Sequence, residues 1–341
     1  MISKNHTKAF LLLGVLVVIV FLANLALGSV WIPLDDVLHI LFGGQAEKSA
    51  WQYIIIDYRL PKAIAAILTG SGLAVAGLMM QTFFRNPLAG PFVLGISSGA
   101  SLGVALLILG SAAISASTFA TTGNWGTVIA ASLGSFLVLS IVMLVAAKVR
   151  DAMALLIIGL MFGSLTSAVV SILAYFSPAS ELQRYIFWSF GSLGDISWQG
   201  TAILALCYFI GVMLAVFSIK TLNSLLLGDQ YAQTLGVSLK KSRFIIIIAT
   251  SILAGSLTAF TGPIAFVGLA VPHLIRQVFK SSNHWLLLPA CMLGGALLML
   301  ICDSIAQAPL NSFTLPINAI TSLVGAPVVI WLLIRKRKLI F

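Results

Sequence analysis

The sequence predicts an all-α polytopic membrane protein, a single transmembrane domain over residues 1–341 with ten transmembrane helices. Three observations lead there. First, 60% of the 341 residues are apolar and only 8% are charged, against about 45–50% and about 25% in an average soluble domain. So little charge cannot cover a water-facing surface, which excludes a soluble enzyme, a disordered chain and a secreted disulfide scaffold. Second, the apolar residues form long continuous runs rather than the period-two alternation of a membrane barrel. Third, the charges lie between those runs and are sorted by sign.

A span needs about 20 apolar residues to cross about 30 Å of hydrocarbon. Ten stretches qualify: 9–30, 61–83, 92–112, 126–147, 152–175, 200–219, 244–260, 263–279, 285–303 and 316–334. The first follows Lys4 and Lys8, but it is too long for a signal peptide and no small-residue cleavage site follows it. It is expected to be a retained span. The eighth contains Pro272, His273 and Arg276, so its last turns belong at the interface or against protein.

The 19 basic residues choose the orientation. With the amino terminus inside, Lys4, Lys8, Arg85, Lys148, Arg150, Lys220, Lys240, Lys241, Arg243, Arg276, Lys280, Arg335, Lys336, Arg337 and Lys338 are inner, which is 15. Only Lys48, Arg59, Lys62 and Arg184, which is 4, are outer. The positive-inside rule therefore places both termini in the cytoplasm. The acids Asp35, Asp36, Glu47, Asp57, Glu181 and Asp195 show the opposite bias. The formal charge of +10 thus follows from topology and asks for no nucleic-acid partner.

The outer segments 31–60 and 177–199 are long enough for short interfacial helices, and Pro33 followed by Asp35 and Asp36 suits a helix start. Gly70, Gly72 and Gly77 punctuate the second span, and Gly95, Gly99 and Gly103 stripe the third. Such residues let helices approach closely, either for packing alone or as the wall of a moving pathway. Gly90-Pro91 opens the third span and Gly262-Pro263 the eighth, an echo expected of an inverted repeat. Cys207, Cys291 and Cys302 all lie in apolar runs and fit no metal-ligand spacing; they read as small core residues.

Catalytic sets are missing from the sequence. It has no His-Glu-x-x-His and no Gly-Lys-Ser/Thr phosphate loop. No cofactor is expected. Asp303 is the one acid within a span, read as a helix-end hydrogen-bonding group or as part of a pathway rim. The loop 220–243 differs from the other inner connections in length. Asp229 suits a helix start and Gly236 a helix stop, which predicts about two turns between them. That helix could lie on lipid or dock in a groove of a cytoplasmic partner.

Several motifs then resemble the FecCD-type permeases of type II ABC importers, which carry haem, cobalamin and ferric siderophores. Arg59-Leu60-Pro61-Lys62 resembles the family's start of the second span. Gln81 and Arg85-Asn86-Pro87-Leu88-Ala89-Gly90-Pro91 resemble its Asn-Pro-Leu-Ala loop. Leu227-Gly228-Asp229 through Leu235-Gly236-Val237 resembles its coupling segment. Gly262-Pro263-Ile264, Pro272-His273-x-x-Arg276 and Gly325-Ala326-Pro327 resemble its later spans. The sequence departs from the family at Lys62 and Gln307, where arginines are usual, and at Asn318, where a glycine is usual.

The resemblance implies a homodimeric permease in the inner membrane, working by alternating access. Its implied partners are two cytoplasmic ATP-binding subunits and a periplasmic or lipid-anchored binding protein. It implies binding-protein docking at Arg59 and Lys62, and a cytoplasmic gate at Asn86 and Leu88 that extends to Asp151. Ser164, Thr166 and Ser167 would line the pathway. Leu225, Gly228, Asp229, Leu235 and Gly236 would couple to the ATPase. The rival reading is a secondary transporter that works without an ATPase.

Overall fold

The computed structural model describes residues 4–44, 46–110, 123–148, 152–194, 196–307 and 314–334. In hydrocarbon every backbone N–H and C=O must be satisfied within the protein. The apolar runs accordingly fold as helices, and no strand occurs among the described residues.

The chain begins with α1 (Lys4–Ala26), α2 (Leu34–Leu41) and α3 (Ser49–Tyr53). A π-helical stretch, Ile54–Arg59, leads into α4 (Leu60–Phe83), and a 3-10 turn, Pro91–Leu94, precedes α5 (Ile96–Ile108). Then come α6 (Gly123–Lys148), α7 (Ala152–Phe176), α8 (Ala179–Ser189) and α9 (Trp198–Phe217). Two short helices, α10 (Ile219–Leu225) and α11 (Asp229–Thr234), fill the loop before α12 (Leu239–Thr261). The chain closes with α13 (Val267–Phe279), α14 (His284–Ala306) and α15 (Ile317–Ile334).

Seven helices among the described residues are long and apolar enough to cross a membrane. Three shorter apolar helices, α5, α13 and α15, stand where the third, eighth and tenth spans were expected. The shortening of α5 and α13 has a common cause. After Gly90-Pro91 the backbone makes the 3-10 turn, and Gly95 at φ 73° opens α5. After Gly262-Pro263, Phe266 takes φ 65° and opens α13. Each helix is then 13 residues long, about 20 Å, too short to span hydrocarbon alone. Their irregular lead-ins are tolerated because Gly90, Pro91, Gly262 and Ile264 are buried in protein. The two-residue echo in the sequence thus marks two matching structural units.

The second span also differs from expectation. It is the end of a continuous helical run, Ser49–Phe83, rather than a helix separated from the segment before it. The π turn frees a carbonyl at Ile56, which accepts the Trp198 indole N–H at 3.0 Å. The interfacial helices are present as α2 and α8, with Pro33 capping α2 and Asp35 and Asp36 in its first turn.

Helix α4 is the axis of the bundle. It packs against α14, α12, α13 and α9, and nearly all of its residues are buried. Helices α5, α6 and α7 form a second layer joined to this centre mainly through α12. Backbone-to-backbone contact explains the glycines. A methyl group on Gly77 would overlap the Gly268 carbonyl oxygen, and one on Gly70 would overlap that of Gly295. Gly99 and Gly134 meet in the same way between α5 and α6. Cys291 and Cys302 are buried and unpaired, as expected of small core residues.

Lys62, Asp35, Asp36, Glu47, Asp57 and Glu181 mark one end of the bundle, called here the acidic end. Arg85, Lys220, Lys240, Lys241, Arg243 and Lys280 mark the opposite, basic end. Overpacking a filled core costs about 1–3 kcal/mol. Gly77→Ala should therefore lower the thermal midpoint of the purified protein in detergent. Gly14→Ala, where nothing lies within 4 Å of an added Cβ, should not.

Candidate functional site

At the basic end, the loop between α9 and α12 forms two short helices where the sequence predicts one. Helix α11 ends at Thr234, and Gly236 takes φ 83°. The Gly236 N–H donates to the Gln233 carbonyl at 2.9 Å and the Val237 N–H to the Ala232 carbonyl at 3.0 Å. This is the Schellman pattern, in which a left-handed glycine satisfies the last carbonyls of a helix. Val237 then packs back against the core.

Helix α11 starts at Asp229, as expected. Gly228, at φ 111°, is the capping residue, and Asp229 is the acid of the first turn. Its carboxylate pairs with the Arg85 guanidinium and, at 3.5 Å, with that of Arg243. Arg85 Nε also donates to the Leu225 carbonyl at 3.2 Å. An exposed pair of this kind is worth only about 0–1 kcal/mol.

Leu225 is corrected by the structure. Its side chain is buried, so it cannot meet a partner. Leu227, Tyr231 and Leu235 are exposed instead and form an apolar patch around α11.

Within α10, Asn223 makes a second attachment that no sequence pattern indicates. Asn223 Oδ1 accepts both the His284 backbone N–H at 2.9 Å and Nδ1–H at 2.8 Å. His284 Nε2 lies 2.8 Å from the Thr82 hydroxyl, which also accepts from Arg276 at 3.3 Å. His284, Thr82 and Arg276 are buried. Opening one hydrogen bond here would leave a buried polar group unsatisfied, at about 1–3 kcal/mol. The segment 220–243 is therefore tied to α4, α13 and α14.

Asn86 and Leu88, where a gate was expected, follow Thr82 in the turn after α4. Asn86 Oδ1 accepts the Leu88 N–H at 2.9 Å, forming a turn that leaves the Leu88 side chain exposed. Asp151 lies outside the described residues. On α7, Ser164 and Ser167 share an exposed face with Ser171, at i, i+3 and i+7 spacing. Thr166 points the other way, is buried, and bonds the Phe162 carbonyl at 3.0 Å. It is not placed to line a pathway.

At the acidic end, Arg59 and Lys62 are both buried, which corrects the expectation of free docking charges. Arg59 donates to the carbonyls of Leu25 (2.7 Å) and Ala26 (3.0 Å) and to Val30. It thereby caps the C-terminus of α1, where a cation suits the helix dipole. A Cβ on Gly28 would collide with the guanidinium, which explains the glycine there. Lys62 pairs with Asp303 at 3.2 Å. Asp303 Oδ2 also accepts from Asn24 at 2.9 Å and Gln307 at 2.8 Å. Gln307, which replaces the arginine usual in the family, thus serves as a neutral donor and leaves one cation per anion. Asp303 is a hydrogen-bonded hub at this end. Beside it opens a cavity of about 1140 Å³, lined by Tyr58, Trp125, Arg184, Phe187 and Trp188 among others.

A profile of the FecCD transport family matches residues 16–335. The chain belongs to that family. It is 34% identical over 337 residues to the hemin transport system permease protein HmuU of Yersinia pestis, covering 98% of each chain. It is also 34% identical over 339 residues to the vitamin B12 import system permease protein BtuC of Shigella boydii, again covering 98% of each. A solved chain of a metal-chelate type ABC transporter in an inward-facing conformation superposes with a TM-score of 0.84 at 30% identity, covering 96% of this chain and 99% of that one. The PsaBC complex of Streptococcus pneumoniae, at 14% identity and a TM-score of 0.54, shares the fold alone. This FecCD-family chain is a multi-pass permease of the ABC-importer type.

Removing one partner of a buried pair costs about 3–5 kcal/mol, whereas replacing both by apolar groups is often neutral. Asp303→Ala should strongly lower the thermal midpoint. Lys62→Met combined with Asp303→Leu should recover most of that loss.

Proposed function

We propose that this permease works as a homodimer that moves a haem, a cobalamin or an iron-siderophore inward across the inner membrane. Two cytoplasmic ATP-binding subunits supply the energy, and a periplasmic or lipid-anchored binding protein delivers the cargo. The basic end faces the cytoplasm, and the charge asymmetry of the loops supports this orientation. The relatives' names support the cargo class: one carries hemin and another vitamin B12.

The observation that carries the coupling assignment is the exposed apolar patch of Leu227, Tyr231 and Leu235 on a firmly stopped helix. It offers an ATPase groove a defined apolar contact rather than a floppy loop. Asp229, Gly228 and Gly236 shape that contact. At the other end, the binding protein docks over the cavity rim that includes Arg184 and Trp188. Arg59 and Lys62 support that face from beneath by fixing the ends of α1 and α14. Ser164 and Ser167 face the pathway from the exposed side of α7, where a second copy would complete it, while Asn86 and Leu88 form the gate.

The permease contributes no hydrolysis chemistry. ATP binding draws the ATPase subunits together, and the permease answers by alternating access.

Leu235→Glu puts a charge into the apolar contact and should release the ATPase subunits on co-purification. Gly236→Val strains a left-handed turn by about 1–2 kcal/mol and should abolish ATP-driven uptake while the protein still inserts. Uptake that persists without any ATPase would support a secondary transporter instead.

Topology is checked separately, in a background lacking the native cysteines. Phe42→Cys and Tyr231→Cys place thiols at exposed positions at opposite ends. An impermeant reagent added outside intact cells should label the first and not the second.

A further inference from the structure

The gate loop and the coupling segment are far apart in sequence, yet Arg85 and Asp229, 144 positions apart, meet directly. Arg85 is one of three non-glycine residues with positive φ among the described residues, at 45°. That conformation is disfavoured for a residue with a side chain. Here the neighbouring bonds hold it: the Arg85 N–H donates to the Thr82 carbonyl at 3.2 Å, and the Asn86 N–H to the Gln81 carbonyl at 3.1 Å.

From this fixed backbone the side chain reaches across to the coupling segment, bonding the Leu225 carbonyl and the Asp229 carboxylate. Arg243, on the first turns of α12, reaches the same carboxylate. One acid thus ties together the gate loop, α11 and α12. Three residues upstream of Arg85, Thr82 joins His284, which holds Asn223 just before Leu225. The stretch Thr82–Leu88 is therefore fastened to the coupling segment at two points. The second lies one residue before Asn86.

We propose that Arg85 is a positioning residue that makes the gate loop and the coupling segment one moving unit, so that a push on α11 is delivered to Leu88. This rests on the reading of 225–237 as the ATPase contact. A planar guanidinium can serve the carbonyl and the carboxylate together, whereas a lysine ammonium is a single point charge. An ordinary surface pair would have neither the strained backbone nor the shared acid.

The test needs no knowledge of the cargo. A thiol reporter at Leu88→Cys is read in the assembled permease–ATPase complex, in a background without native cysteines, before and after trapping with ATP and vanadate. Trapping should change the labelling rate about tenfold, a size typical of coupling between sites. With Arg85→Met the ATPase should stay bound and still hydrolyse ATP, but the labelling response should vanish. Arg85→Lys should restore part of it.

An unchanged response in Arg85→Met overturns the proposal while leaving the coupling assignment intact. So does an Arg85→Met protein that fails to fold or loses its ATPase, since Arg85 would then be a structural residue. A wild-type chain that recruits no ATPase overturns both this inference and the coupling assignment.

Discussion

The structure depends on the burial of α4 (Leu60–Phe83). A helix in hydrocarbon gains nothing from apolar side chains merely meeting other apolar side chains, because lipid offers the same contact. It is held by close approach of backbones. Gly70 against Gly295 and Gly77 against Gly268 supply that approach on two neighbouring helices. With α14 and α13 drawn onto α4, the remaining small residues fill the interior, and the helix becomes the stiff axis of the protein. Its ends then carry the polar chemistry: Arg59 and Lys62 at one, Thr82 and Arg85 at the other.

The two ends use charge differently. At the acidic end the Lys62–Asp303 pair is buried, and Asp303 also receives Asn24 and Gln307. Such a cluster is costly to break and fixes geometry. At the basic end the Arg85–Asp229–Arg243 set is partly exposed, while the histidine junction beside it is buried. A buried pivot next to an exposed link suits a place that must move without coming apart.

Much of this was legible in the sequence, and the limits have physical reasons. Local signals succeeded: Gly236 stops α11 as read, Pro33 with Asp35 and Asp36 starts α2, and the Gly-Pro pairs mark two matched short helices. Those signals act within one turn of chain. Asp229 opens α11 as read, but its carboxylate also pairs with Arg85, which no local pattern reveals. Leu225 opens a run of three leucines, yet it lies with Ile219 and Leu222 at i, i+3 spacing on the buried face of α10, while Leu227 is exposed. Arg59 and Lys62 carried the right motif, yet burial is a tertiary property. The His284, Asn223 and Thr82 junction joins residues from three distant segments and left no spacing to find. The length of the third and eighth spans was overestimated because apolar composition does not distinguish a helix from buried irregular backbone.

The central claim is that the inner end of α4, the gate loop and the coupling segment move together. Pulsed spin-label distance measurements within one protomer test it most directly, with labels at positions 88 and 231 read in the ATP-free and ATP-trapped complex. A second pair at position 164 in the two copies reports the pathway itself. The account predicts that the 88–231 distance distribution stays unchanged while the 164–164 distance shifts. A pathway that shifts while the 88–231 distance also widens would contradict it.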